Sequence, residues 1–262
     1  MGAPWLPFAL CAALTSLICL FSWKKRLLRQ SACVLALLTG LCFFLFGGWL
    51  LWGMLILFFM SSSLAGKLGK HRRAGAGREG TGRRAAQVLA NSLPALIAAF
   101  FYWLGGQAPL LMAALGAIAA AASDTWASEI GVLSRKSPVS ILTLRPVRAG
   151  LSGGISPLGC LAGALGSLCI ALPAGLVLLS FPAFWAVFLG GCGGCVADSL
   201  LGASLQAKYL GQDGELTEEP YGPSGPNRLF SGLRSMNNDW VNGLSAAGAA
   251  LLSSCFWLLF RA

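Results

Sequence analysis

Long apolar runs alternate with short polar loops along almost the whole chain. Eight of these runs are close to the roughly 20 residues with which a helix crosses a bilayer. Two of them are separated only by Gly47 and Gly48, which predicts a tightly turned helical hairpin. The predicted spans are 5–23, 31–46, 49–65, 85–104, 109–133, 155–179, 183–206 and 240–260. The pattern predicts an all-α transmembrane bundle that forms one integral membrane domain over residues 1–262.

The basic residues predict how this bundle is oriented. All but one of the 19 Lys and Arg residues lie in the loops after spans one, three, five and seven. Cytoplasmic loops carry this excess of positive charge, so both termini are predicted to lie outside. A cleaved signal peptide is the alternative for the first run. The charges of Lys24, Lys25 and Arg26 follow that run instead of preceding it, which favours a span.

Composition supports the membrane assignment and excludes a soluble class. The chain is 56% hydrophobic and 11% charged, whereas soluble domains have about 25% charged residues. A net charge of +10 could indicate nucleic-acid binding. We exclude that function because the charges lie in loops that set topology, and we expect membrane lipids as neighbours. The nine cysteines are scattered, and Cys192 and Cys195 are predicted to be buried thiols, not a metal or redox pair.

Carboxylates occur inside two predicted spans. Asp124 and Glu129 lie in span five, and Asp198 lies in span seven. A carboxylate in lipid costs about 2.5–3.5 kcal/mol on insertion scales, so its presence indicates function. Asp124 and Glu129 are about 140° apart around the helix, so they are predicted to face different neighbours, with Thr125 and Ser128 as adjacent hydroxyls. A structural pair neutralised by loop arginines is the alternative.

The polar residues within the predicted spans all lie towards the predicted cytoplasmic side. Asn238 and Asn242 are four residues apart and share a helix face. Helix capping by Asn237 or Asn238 is the alternative, but it leaves Asn242 unexplained. Such a cluster beneath basic loops predicts a site that meets an anionic, water-soluble ligand and a lipid.

Two glycine-rich stretches flank these groups. Residues 150–154, read GLSGG, open span six and are predicted to cradle phosphate beside Arg145 and Arg148, with a flexible connector as the alternative. The glycines before Asp198 predict close helix packing. Asp124 and Asp198 form a plausible Mg²⁺ pair. The acids of the following polar loop are predicted to be solvated; they are Glu215, Glu218 and Glu219.

Several of these motifs together resemble one integral membrane family. They are SDTWASEIG at 123–131, GLSGG at 150–154, DSLLGASLQ at 198–206, NNDWVN at 237–242, QVLAN at 87–91 and FMSSSLAGKLGK at 59–70. The family includes transmembrane protein 19 of animals and the phytyl-phosphate kinase of plants and cyanobacteria. The resemblance extends from about residue 31 to 246. This chain departs in a shorter third loop and in a Pro-rich stretch at 221–226.

The resemblance implies a reaction and a set of residues. The expected reaction is phosphoryl transfer from a nucleoside triphosphate, with CTP as the expected donor, to an isoprenyl monophosphate. The family's matching polar positions are Asn91, Asp124, Glu129, Asp198 and Asn242. Asp124, Glu129 and Asp198 are the predicted catalytic residues, with Mg²⁺ on Asp124 and Asp198. The predicted substrate- and nucleotide-binding residues are Asn91, Lys67, Arg145, Arg148, Gly150, Ser152, Gly153, Gly154, Ser199, Asn238, Asp239 and Asn242.

Two other functions fit the same parts. A cytidylyltransferase would form a CDP-lipid and release pyrophosphate instead of CDP. An anion or ion transporter would need polar groups near the bilayer midplane and a path to the outer face. The clustering of polar residues on one side favours an enzyme at the membrane boundary.

Overall fold

The computed structural model describes residues 5–74 and 82–261, with the backbone alone for residues 70–74. Within these ranges, seven helices are long and apolar enough to cross a membrane, which confirms the all-α membrane bundle. They are α1 (Leu6–Lys24), α2 (Gln30–Ala74), α3 (Ala85–Gly105), α4 (Ala108–Gly131), α5 (Pro157–Val177), α6 (Phe181–Ser204) and α7 (Asn238–Arg261).

Helix α2 contains both arms of the predicted hairpin. Its backbone leaves helical geometry at Gly47 and Gly48, where Gly48 adopts a φ of 59°. Thr15 of α1 contacts both arms: its hydroxyl accepts from Trp52 Nε1 at 2.9 Å, and its methyl group lies 2.9 Å from the place of a Cβ at Gly40. Residues twelve apart would be about 18 Å apart in a straight helix. The two arms therefore fold back beside one another.

The second arm of α2 continues beyond its predicted end at residue 65. The helix extends to Ala74, so Lys67 lies on a helix instead of in a loop. Five of the seven residues from Leu64 to Lys70 are good helix formers and none is proline, so the helix continues through Gly66 and Gly69. His71, predicted to be a solvated loop residue, and Arg78 lie outside the described side chains.

Helix α4 is the centre of the bundle. Every residue from Leu111 to Ser123 is buried, and α4 packs against α2, α3, α5, α6 and α7. Alanine and glycine make up most of this stretch, so neighbouring backbones can approach closely. A Cβ added at Gly166 of α5 would lie 2.8 Å from the Ala122 carbonyl oxygen. These close contacts hold the acids of the predicted site on a tightly packed helix.

Short antiparallel strands occupy the two long loops on either side of α5 and α6. They were predicted only as polar loops; the glycines and prolines that break helices also supply the turns between strands. Gly214 and Gly225 adopt φ values of 77° and 132° in such turns. The strands are β1 (Val139–Ser140), β2 (Gly154–Ile155), β3 (Lys208–Leu210), β4 (Leu216–Thr217), β5 (Tyr221–Gly222), β6 (Gly225–Pro226) and β7 (Arg228–Ser231). They pair as β1–β2, β4–β3–β7 and β5–β6.

Candidate functional site

Two carboxylates from different helices meet at one end of the bundle. Asp124 lies near the C-terminal end of α4, and Asp198 lies near the C-terminal end of α6. Their side chains are within hydrogen-bonding distance of each other. Helix α6 reaches α4 because Gly191 and Gly194 leave no side chain between the helices; a Cβ at Gly191 would meet Ala119 at 2.8 Å. The predicted packing role of these glycines is therefore observed.

Helix α7 adds polar groups to this pair. The Ser245 hydroxyl donates to Asp198 Oδ2 at 3.1 Å. The hydrogen-bond network orients the Asn242 amide with its nitrogen 3.0 Å from the same oxygen. In this orientation the amide oxygen of Asn242 lies 3.3 Å from Oδ1 of Asn91 on α3. Four helices thus bring Asn91, Asp124, Asp198 and Asn242 together, as the sequence pattern predicts.

The polar residues at the start of α7 have different roles. Asn237 Oδ1 accepts from the Trp240 backbone N–H at 3.1 Å, so this residue caps the helix. The Asn238 amide nitrogen lies 3.3 Å from the Asn242 amide oxygen and extends the polar cluster. Asp239 instead forms an ion pair with the exposed Arg84 at 3.3 Å, although the Asp239 side chain itself is only 16% exposed. Of the predicted residues here, Asn238 and Asn242 belong to the cluster.

Glu129 lies apart from the carboxylate pair. Its Oε2 is 3.4 Å from the place of a Cβ at Gly66, so it packs against the second arm of α2. The prediction of different neighbours for the two acids of α4 agrees with this geometry. The two hydroxyls one turn from these acids donate to the backbone, Thr125 to the Ala121 carbonyl at 2.7 Å and Ser128 to the Thr125 carbonyl at 3.1 Å. On α7, the Ser245 hydroxyl donates to Asp198.

The glycine loop at 150–154 does not open helix α5. That helix begins at Pro157 and is capped by Ser156, whose Oγ accepts from the Gly159 N–H at 3.1 Å. Gly153, with a φ of 82°, packs against Ala203 at the end of α6. A carboxylate already occupies the loop, since the Ser152 N–H donates to Glu218 Oε1 at 2.6 Å. The prediction that Glu218 is a solvated loop acid was wrong; Glu218 is half-buried and joins this loop to the loop after α6.

Lys208 closes the C-terminal end of α6. Its Nζ donates to the Gly202 carbonyl at 2.9 Å and to the Ala203 carbonyl at 3.0 Å. A cation on the last carbonyls of a helix satisfies acceptors that have no partner within the helix. Desolvation lowers the pKa of Lys208, and the nearby Glu218 charge opposes that change. Lys208 and Glu218 therefore fix the segment that follows Asp198.

The other predicted residues lie around the cluster without joining it. Lys67, Arg145 and Arg148 are exposed. No ion pair joins them to a carboxylate in the ranges that the structure describes. Ser199 is half-buried next to Asp198 on α6. Gly150 and Gly154 belong to the loop that Glu218 contacts through Ser152.

Sequence reasoning missed Ser245, Lys208 and Glu218. A signal existed for Ser245, because it lies three residues after Asn242 and so shares the same face of α7. Lys208 bonds the last turn of α6 and Glu218 bonds the glycine loop, and such contacts have no periodic pattern in the sequence.

A family model described as "Integral membrane protein DUF92" matches residues 13–250. Protein PGR of Arabidopsis thaliana is 30% identical over 275 residues, which cover 92% of this chain and 93% of that protein. Uncharacterized membrane protein MJ0933 of Methanocaldococcus jannaschii is 32% identical over 187 residues, covering 71% of this chain and 78% of its own.

A cyanobacterial relative extends the same similarity. Uncharacterized membrane protein sll0875 of Synechocystis is 31% identical over 169 residues, covering 62% of this chain and 66% of its own. No solved structure matches the chain. The resemblance seen in the motifs is confirmed at the level of the family. Because the family model covers most of the chain, the protein belongs to the DUF92 family of integral membrane proteins.

Proposed function

We propose that the protein is a membrane-embedded kinase that transfers a phosphoryl group from a nucleoside triphosphate, CTP in the first instance, to an isoprenyl monophosphate. The observation that carries the proposal is the facing pair of Asp124 and Asp198. Two carboxylates held this close by a membrane bundle are costly unless they serve a charged ligand. The basic loops predict that this end of the bundle faces the cytoplasm, where nucleotides are available.

The carboxylate pair fits Mg²⁺. This ion prefers oxygen ligands and is usually bound by one or two carboxylates together with substrate phosphates. Two ionised carboxylates at this separation repel each other, and a cation relieves that repulsion. Among the described residues no cluster of three or more His, Cys, Asp and Glu forms a closed cage, so nucleotide phosphates and water would complete the coordination. Bound Mg²⁺ would supply charge neutralisation on the transferring phosphoryl group.

Phosphoryl transfer requires little covalent chemistry from the protein. An oxygen of the acceptor monophosphate attacks the γ-phosphorus of the nucleotide. The bond from that phosphorus to the bridging oxygen breaks, and the nucleoside diphosphate leaves with the oxygen. Since the acceptor is already an oxyanion, no side chain has to remove a proton. This fits the described side chains of the cluster, which are carboxylates, amides and a hydroxyl.

The side chains of α7 and α3 have positioning roles in this proposal. Ser245 and Asn242 both bond Oδ2 of Asp198, so they fix the direction of its carboxylate. Asn91 lies beside Asn242 and presents a further amide to a phosphate oxygen. Preorganised polar groups of this kind stabilise charge in a transition state without having to reorient.

The test is turnover by purified protein with CTP or ATP, Mg²⁺ and a panel of phytyl, farnesyl, geranylgeranyl and undecaprenyl phosphates. We expect an isoprenyl diphosphate and CDP. Asp124→Asn and Asp198→Asn are each expected to lower kcat by about 10²–10³-fold, the usual cost of removing one electrostatic stabiliser. Glu215→Gln, an exposed loop acid, is the matched control and should retain full activity.

Two results would contradict this proposal in different ways. Release of pyrophosphate with a CDP-lipid would identify a cytidylyltransferase. Wild-type turnover by folded Asp124→Asn would remove the carboxylate pair from the mechanism. Elution as a single species in detergent and an unchanged melting temperature would establish that each variant is folded.

A further inference from the structure

A cavity of 60 Å³ lies between α1, the two arms of α2 and the start of α3. On the same measure a single water needs roughly 10–15 Å³, so the cavity has room for several atoms in a row. Its walls are mainly apolar and include Ile18, Leu55 and Phe59. Polar side chains line it from the beginning of α3, namely Arg83, Gln87 and Asn91. The cavity therefore has an apolar body and a polar side.

Arg83 is held at this cavity by its backbone. The Arg83 N–H donates to the Leu27 carbonyl at 2.9 Å, and its carbonyl accepts from the Arg29 N–H at 3.1 Å. The guanidinium lies 5.7 and 5.8 Å from the ring centres of Phe58 and Phe59. Cation–π contacts at such distances favour a fixed, desolvated cation. The sequence pattern assigned Arg83 only to the basic, topology-setting loop.

The charge of Arg83 lacks an acidic neighbour. No carboxylate forms an ion pair with it in the part of the chain that the structure describes. Desolvation lowers its pKa to about 10, which leaves the side chain protonated at neutral pH. A desolvated cation is stabilised by an anion that binds bidentately, and a phosphate suits a guanidinium in this respect.

The polar side of the cavity leads to the carboxylate pair. Gln87 and Asn91 are four residues apart on α3 and share a helix face. Asn91 lines the cavity and also lies 3.3 Å from the Asn242 amide, which contacts Asp198. A ligand with its anionic end at Arg83 would thus have its apolar part between α1 and α2, and Gln87 and Asn91 would lead from that end to the site about two helical turns further along α3.

We infer that this cavity binds the chain of a single-chain lipid monophosphate, with Arg83 on the phosphate, and so presents an isoprenyl phosphate to the carboxylate pair. The isoprenyl identity of the chain rests on the proposed function. The narrow apolar body favours one chain over the two chains of a phosphatidate. Because its walls include Ala36 and Thr39, bulk at these positions would limit the length of chain accepted.

The first experiment measures binding without nucleotide. A farnesyl phosphate analogue carrying a photoreactive diazirine on its chain would be crosslinked to purified protein in nanodiscs, and the adducts mapped by mass spectrometry. We expect adducts on α1 and α2 at the cavity, competed by farnesyl phosphate but not by phosphatidate or inorganic phosphate. Arg83→Gln should weaken the competition about 10- to 100-fold, and Arg83→Lys should restore part of it.

Matched variants separate this site from general effects of charge and size. Lys25→Gln removes another cation stacked on an aromatic ring, 5.9 Å from Phe21 but outside the cavity, and should bind normally. Ala36→Phe fills the cavity and should block longer chains more than short ones. Val34→Phe adds the same bulk on the same arm, at a position that is 60% exposed, and should have no effect.

The outcomes distinguish this inference from the proposed kinase activity. Cavity adducts with Arg83-dependent binding but no diphosphate product would support the cavity and reject the kinase. Turnover with adducts elsewhere, and an unchanged KM in Arg83→Gln, would reject the cavity and leave the kinase standing. Competition by phosphatidate equal to that by farnesyl phosphate would overturn the single-chain assignment. Absence of both binding and turnover would reject both.

Discussion

The two sides of the bundle are built from different side chains. Around α4, α6 and α7 the buried residues are mostly alanine, glycine and serine, and helices approach until a single added methyl group would clash. In the two arms of α2 the core uses large residues such as Phe43, Leu51, Met54 and Phe58, whereas the neighbouring α1 and α3 bury small ones. Small residues allow backbones to meet closely, whereas the large residues of α2 hold backbones further apart, and the cavity lies between α2, α1 and α3.

The two kinds of packing suit two different parts of the proposed site. The carboxylate pair lies in the small-residue half, where Asp124 and Asp198 are fixed by helices in direct contact. The cavity lies against the large residues of α2, whose aromatic and aliphatic side chains would contact the proposed lipid chain. A site that must hold charges in place and accept a flexible lipid benefits from having both kinds of packing.

The largest expected effect comes from adding bulk to one half and not to the other. Gly194→Leu should destabilise the protein by about 1–3 kcal/mol, because its Cβ would lie 2.8 Å from that of Ala249. Gly53→Leu on α2 should be neutral or slightly stabilising, since a Cβ there meets nothing within 4 Å. Thermal unfolding of both variants in detergent measures this contrast. Equal losses would show that the halves do not differ in packing.

An intermediate effect on stability is expected where the loop after α6 contacts the glycine loop. Glu218→Gln weakens the charge-assisted bond to the Ser152 N–H and should lower stability by about 1–2 kcal/mol. Glu219→Gln, one residue away and exposed, should change stability by less than about 0.5 kcal/mol. The two melting curves are compared directly. Identical curves would mean that the loop contact contributes nothing to holding the end of α6.

The smallest expected effect concerns orientation within the carboxylate pair. Ser245→Ala removes one hydrogen bond to Asp198 and should lower kcat by up to about tenfold, the equivalent of 0.5–1.5 kcal/mol. Ser254→Ala is the control, because it loses a 2.8 Å bond to the Pro109 carbonyl at the other end of α7. Its kcat should match that of the wild type. A kcat for Ser245→Ala that equals that of Ser254→Ala would exclude a positioning role.

Much of the fold could be predicted because lipid imposes a simple rule. A segment in hydrocarbon must satisfy its own backbone hydrogen bonds, so an apolar run of sufficient length becomes a helix. The runs therefore predicted the helices to within a few residues, apart from the extension of α2 to Ala74. The loops escaped prediction, since the strands β1 to β7 are short and depend on contacts between distant segments.

The candidate site divides in the same way. The sequence by itself determined which residues are costly in a membrane, and this was enough to single out Asn91, Asp124, Asp198 and Asn242. Only the tertiary structure decided that Asp124 faces Asp198 while Glu129 faces α2, because partners are set by how helices pack and not by their spacing along the chain. It also decided that Ser245 reaches Asp198 and that Glu218 occupies the glycine loop. Hydropathy identifies the polar residues within the spans, and helix packing determines which of them contact each other.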